Sequence, residues 1–149
     1  MGLLNATIGG LESAFGRITT FLGKMVVFQD RAVRDSGEIL AERMRELAPE
    51  WTGQLKASIR VDKTSYNTVE VGPHVPYAYY MEFGAPPHVP PRGALYAWAE
   101  DKGMTVEAIV AKITEEGVDA QPFVMPAVEQ SKPAIQAKVV ELSAIVSGI

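Results

Sequence analysis

An α+β fold is what the sequence predicts: a small antiparallel sheet of about three to four strands, flanked by long N-terminal and C-terminal helices. Three observations predict it. Apolar residues recur at steps of three and four over the first 48 positions and again beyond Val106; from Leu55 the pattern changes to strict alternation; and Gly and Pro clusters separate the blocks. The 149 residues suit a single domain, 1–149, with residues 1–23 as a conditional helix and 24–149 as the body.

The first segment carries Leu4, Ile8, Leu11, Phe15, Ile18 and Leu22 at helical spacing. Gly9, Gly10 and Gly16 weaken it, each costing a helix interior about 0.8 to 1 kcal/mol relative to alanine, so it is expected to order only against neighbours. Residues 24–48 make a second helix. Met25, Phe28, Ala32, Ile39, Leu40, Met44 and Leu47 fall near one stripe, and Asp30, Arg34, Asp35, Glu42, Arg43 and Glu46 face away. Pro49 ends it, because proline disfavours the helical region for the preceding residue, and Trp51-Thr52-Gly53 reads as a turn.

Leu55, Ala57, Ile59 and Val61 then alternate with Lys56, Ser58, Arg60 and Asp62, the pattern of a strand with one dry face. Residues 63–68 turn, and Val69 to Gly72 return as the second strand of a hairpin. Tyr77 to Phe83 is a third candidate strand, with Tyr77, Tyr79 and Met81 on one face and Ala78, Tyr80 and Glu82 on the other. Helical spacing resumes in Leu95, Trp98 and Ala99, in Val106, Ile109, Val110 and Ile113, and in Val128, Ile135, Val139, Leu142 and Val146; Gly103 and Gly117 divide these pieces. Pro122 and Pro126 bracket the last connection, Pro126 suiting a first helical turn, whereas Pro133 is expected to kink the final helix or delay its start.

Composition narrows the function classes. The chain has no cysteine, which removes disulfides, thiolate nucleophiles and cysteine zinc sites. A net charge of -4 supplies no general attraction to phosphate backbones. The start, MGLLNATIGG, lacks a basic leader region, Ala6 stands where a myristoylation signal wants Ser or Thr, and no apolar run approaches the roughly 18 residues of a membrane span, so a soluble protein without membrane association is expected.

Residues 74–93, HVPYAYYMEFGAPPHVPPRG, concentrate five prolines, three tyrosines and both histidines of the chain. His74, Glu82 and His88 could in principle be metal ligands or serve a small hydrolase. Their separations of eight and six match no compact ligand motif, and no metal or other cofactor is expected. Ser58 and Ser65 lack a glycine-flanked nucleophile elbow, no phosphate-cradling glycine motif occurs, and Glu115-Glu116 and Glu100-Asp101 read as solvated pairs, so no catalytic set is expected. What remains is aromatic and proline chemistry. Tyrosines cap a core or meet a partner, and both readings stand. Pro86, Pro87, Pro90 and Pro91 make 84–92 a preset, extended loop that docks with little ordering cost or serves as a stiff connector. A monomeric module taking an extended peptide beside Tyr77 to Phe83 is a further reading.

Three stretches in order, APEWTGQLKASI at 48–59, VEVGPHVPYAYYMEFG at 69–84 and QPFVMPAVE at 121–129, resemble the tail-component family typified by phage Hong Kong 97, over about residues 25–147. In that family a helix ends at Ala-Pro, a turn ends in Thr-Gly, a strand runs from Leu to Ser-Ile, a Tyr-rich strand closes with Glu-Phe-Gly, and Pro-Phe precedes the last helix. Here these are Ala48-Pro49, Thr52-Gly53, Leu55 to Ser58-Ile59, Tyr77 to Gly84, and Pro122-Phe123. Trp51 replaces a common Asp and Met125 a frequent Arg.

The resemblance implies a structural protein without enzymatic activity, in the virion and, during assembly, in the host cytoplasm. Copies would form a homo-oligomeric ring, a hexamer, that completes the tail and joins it to the head; a tail-tube terminator is the near alternative. Implied partners are the tail-tube or terminator protein, the head connector or adaptor, and genomic DNA passing through the lumen without sequence-specific binding. The resemblance together with the aromatic and proline content places the interface at Trp51, Tyr77, Tyr79, Tyr80, Glu82, Phe83, Pro87, Arg92, Phe123 and Met125.

Overall fold

The computed structural model describes residues 2–50 and 53–147, with the side chains of 2–11, 94 and 146–147 outside that description. The expected pair of N-terminal helices is one helix, α1, Gly2–Leu47, about 69 Å long at 1.5 Å per residue. Its glycines each weaken the helix but none breaks it, because only proline both removes a donor and clashes with the preceding turn. The end comes where expected: Ala48 N–H donates to Met44 O at 2.8 Å, and Pro49 follows.

The alternating stretch from Leu55 is not all strand. Gly53, with φ of 75°, turns the chain into the short helix α2, Gln54–Ser58, and β1 begins only at Ile59, running Ile59–Ser65. Leu55 and Ile59 are buried and Ala57 is exposed. Residues four apart share a face in a helix turn and in a strand alike, so the pair that fills the core fits both periods. β2, Thr68–Pro73, pairs antiparallel with β1 in the register Val61↔Val71 and Lys63↔Val69, across a turn in which Asn67 has φ of 62°. This hairpin is the whole sheet among the described residues, two strands where three to four were expected.

Tyr77–Phe83 accounts for the missing strand: it is helical, α3, Ala78–Phe83. A 3-10 turn, Arg92–Ala94, leads to α4, Tyr96–Lys102, then α5, Val106–Glu116, whose first turn is capped by the Thr105 hydroxyl accepting from Ala108 N–H at 3.2 Å. The last helix, α6, Val124–Ser147, holds Pro126 in its first turn as expected, but it starts well before Pro133 and continues past it, so Pro133 does not delay it.

One side of α1 carries the hairpin. A Cβ on Gly37 would stand 2.8 Å from Val61 Cγ1 and 3.1 Å from Val69 Cγ2, so the absence of a side chain lets the helix seat on the valine face of the sheet. Arg45 Nη2 donates to Ile59 O at 2.8 Å at one end of that contact, and an ion pair of Lys63 with Asp30 ties the other. α6 packs on α1, where Ala41, Met44 and Ala48 meet Phe123 and Ala127, with Leu55, Ile59 and Ala78 completing the core. Ala99, Val106, Ile109 and Ile113 form a smaller second core between α4 and α5. Among the described residues, no helix is long and apolar enough to cross a membrane.

Candidate functional site

The tyrosine-proline segment begins with a turn at Val75-Pro76, where Ala78 N–H donates to Val75 O at 3.1 Å, and continues into α3. Its side chains sort with the helical period. Ala78 and Glu82, four apart, are buried; Tyr79, Tyr80 and Phe83 point out, about 65%, 54% and 62% exposed. The Tyr79 ring meets Phe83 at a centroid distance of 4.9 Å and Tyr80 edge-on at 5.8 Å, so the three form one aromatic cluster on the surface.

What holds this cluster is a carboxylate. Glu82 Oε2 accepts from the backbone N–H of Phe123 at 2.7 Å and of Val124 at 2.8 Å, and Oε1 accepts from Met125 N–H at 2.9 Å. These are the opening amides of α6, which lack partners within the helix. The residue before α6 is Phe123, whose side chain offers no acceptor, so the cap comes from an element 41 residues upstream. Burial pushes the Glu82 carboxyl up, but donation from the Met125, Val124 and Phe123 amides outweighs it and holds the group below its ordinary range. The negative charge also faces the positive end of the helix.

Backbone contacts extend the clamp on both sides of Glu82. Gln121 N–H donates to Met81 O at 2.7 Å, and Ala85 and Val118 exchange N–H···O bonds at 2.9 and 2.8 Å. At that crossing stand Gly84, φ of 74°, and Gly117, φ of 83°, where a Cβ would come 2.6 Å from Val118 O and 2.3 Å from Ala85 O. The Glu-Phe-Gly triplet at 82–84 thus divides into a buried cap, a surface aromatic, and a glycine that permits close backbone approach. The proline loop that follows is held by His88 N–H donating to Ile113 O at 3.3 Å, with Pro90 buried.

Of the residues expected at an interface, Tyr77, Tyr79, Tyr80, Phe83, Pro87, Arg92 and Met125 are exposed, and Arg92 lies 3.8 Å from Glu107. Glu82 and Phe123 lie inside: the carboxylate is taken up by the clamp, and Phe123 is fully buried in the main core, so both hold the surface from beneath. Trp51 lies outside the described residues. The edge strand expected to receive an extended peptide is α3, a helix, which offers no row of free backbone groups.

The three residues considered for metal or hydrolytic chemistry are separately engaged. His74 Nε2 lies 2.8 Å from Asp62 Oδ2, His88 Nδ1 lies 2.9 Å from Pro86 O, and Glu82 caps α6. Among the described residues no three His, Asp or Glu side chains are placed to share an ion. Two grooves, about 270 and 430 Å³, run against α1, and neither is lined by a histidine.

Sequence reasoning missed the pairing of 82–84 with 121–125. A signal for it exists: a helix opening at Pro-Phe with no Ser, Thr, Asp or Asn to cap it requires an acceptor from elsewhere.

A family model described as "Bacteriophage HK97-gp10, putative tail-component" matches residues 13–84. The match covers the first two of the three motif stretches and ends at Gly84, starting earlier and stopping sooner than the expected 25–147. No curated protein and no solved structure matches the chain.

Proposed function

We propose, on the premise that residues 13–84 belong to the HK97-gp10-like family of phage tail components, that this chain is a ring-forming structural protein of the phage neck. The family is one of structural tail components, not of enzymes. In this reading copies assemble as a cyclic homo-oligomer, a hexamer, at the head-proximal end of the tail. There they complete the tail and contact the tail-tube or terminator protein on one side and the head connector on the other, with DNA passing through the lumen. A net charge of -4 suits such a passage, since clustered cations would grip the phosphates and retard them.

The observation that carries the reading is the exposed cluster Tyr79, Tyr80 and Phe83, at the end of the family match, set on a helix whose geometry is held by a buried charged clamp. Exposed aromatics fixed on a rigid element lose little freedom on docking and are enriched among the residues that dominate interface energies. Cyclic assembly pairs this patch with a different patch of the next copy.

Native mass spectrometry and negative-stain images of the purified chain test the reading. Rings for the wild type, and a folded chain that forms no rings for Tyr79→Ala/Phe83→Ala, are expected. A wild type that stays monomeric at every concentration, and when mixed with tails, would sink it.

A further inference from the structure

Among the described residues, no side chain of α1 before Ala32 is buried and none before Leu40 belongs to either core. The hairpin tip meets α1 at Val26, whose carbonyl accepts from Tyr66 Oη at 3.3 Å, and at Gln29, which accepts from Asn67 Nδ2 at 3.2 Å. Every described side chain from Glu12 to Lys24 is exposed, Phe15, Ile18, Phe21 and Leu22 among them.

In the sequence, apolar residues occupy 4, 8, 11, 15, 18, 22 and 25, with steps of 4, 3, 4, 3, 4 and 3. This is a repeat of 3.5, sustained over three heptads with Ile8, Phe15 and Leu22 at a and Leu4, Leu11, Ile18 and Met25 at d. A stripe serving a fixed core has no reason to keep 3.5 rather than 3.6, whereas a supercoiled helix partner selects it. The repeat also lapses where the body takes over. The next two a positions are Gln29 and Ser36, and Gln29 is the residue touched by the hairpin.

Charge favours a second copy as that partner. Within residues 4–25 the charged residues are Glu12, Arg17 and Lys24, none of them at a or d, so identical segments carry a net charge of only +1 and repel little. The same scarcity of Lys and Arg gives no basic face to hold anionic lipid. Of the flanking e and g positions from 12 to 26, Glu12 alone is charged, and Ala14, Thr19, Phe21 and Val26 carry no charge with which to sort partners. Gly9, Gly16 and Gly23 recur at the b position, off the seam, each costing the isolated helix about 0.8 to 1 kcal/mol, which packing against a partner offsets.

We propose that residues 4–25 form a coiled-coil bundle with the same segment of further copies of this chain. The seam spans about 32 Å of helix. This inference does not depend on the ring reading, because the aromatic patch belongs to α3.

The test is sedimentation equilibrium on the full chain, comparing wild type, Phe15→Glu/Leu22→Glu at two a positions, and Thr20→Glu on the outer f face. All three are measured also with Tyr79→Ala/Phe83→Ala, so that association through α3 cannot mask the result. A charge forced into an apolar seam should weaken self-association at least about tenfold. Thr20→Glu should leave it within about twofold, as expected of a position outside the seam. Equal association of all three, or a wild-type chain that is monomeric throughout, overturns the proposal. A monomer that floats with phosphatidylcholine vesicles overturns it in favour of a lipid surface.

Discussion

Replacing Glu82 removes the acceptor of three amides at once, and the cost can be worked from its partners. Each hydrogen bond to a charged group contributes about 1.5 to 3 kcal/mol net, and these three are not additive because they share one carboxylate. In Glu82→Ala, water can reach the partly buried Val124 and Met125 amides, while the Phe123 amide stays buried without a partner, at about 1 to 3 kcal/mol. Loss of the cap and of the charge at the helix end adds about 1 to 2 kcal/mol. The expected destabilisation is therefore about 2 to 5 kcal/mol, a large share of the roughly 5 to 15 kcal/mol that holds a domain together. Glu82→Gln keeps one carbonyl acceptor and turns an NH₂ toward an amide donor, for an expected loss of about 1.5 to 3 kcal/mol.

The charge adds a pH signature. Because the folded carboxyl is held below the ordinary Glu value of 4.5, the clamp stabilises fully above that value and weakens as pH falls through the lower folded value. The Gln variant has no such limb, so its deficit relative to wild type should shrink in acid. Urea unfolding followed by far-UV circular dichroism, at pH 7 and across the range from about 3 to 7, reads both effects. A Glu82→Ala midpoint equal to wild type, or wild-type and Gln curves that stay parallel into acid, would refute the clamp.

Glycine positions separate packing from propensity. Gly37→Ala should lower thermal stability, since overpacking against Val61 and Val69 costs about 1 to 3 kcal/mol and exceeds the helix-propensity gain of about 1. Gly23→Ala, with open space around its Cβ, should raise helicity and stability by up to about 1 kcal/mol; the opposite order in melting temperature would contradict the seating of α1 on the hairpin. Gly84→Ala combines a positive φ with a backbone collision, so loss of soluble, cooperatively folding protein is expected, and a wild-type melt would count against the Ala85–Val118 crossing. Tyr80→Ala, at an exposed site, should change unfolding free energy by no more than about 0.5 kcal/mol; a loss of about 3 or more, the cost of deleting a buried aromatic, would show that the ring is part of the core.

By itself the sequence determined the α+β class, the stop of α1 at Pro49, the hairpin, the α5 and α6 periods and the three motif stretches, because each is local: a period, a proline or a turn acts over a few residues. Tertiary structure decided the rest. Leu55 to Ile59 and Ala78 to Glu82 place buried residues four apart, a spacing that helix and strand share, so only what stood opposite could choose between them. Facing Leu55, Ile59 and Ala78 are Met44 and Phe123 in one core; facing Glu82 are the uncapped amides of α6. That choice made α3 a helix, moved Glu82 and Phe123 from the surface inward, and left Tyr79, Tyr80 and Phe83 outside. Position on a face follows from the chain's own period, but which face is inside follows from partners about 40 residues away, where hydrogen-bond satisfaction and close packing are resolved together.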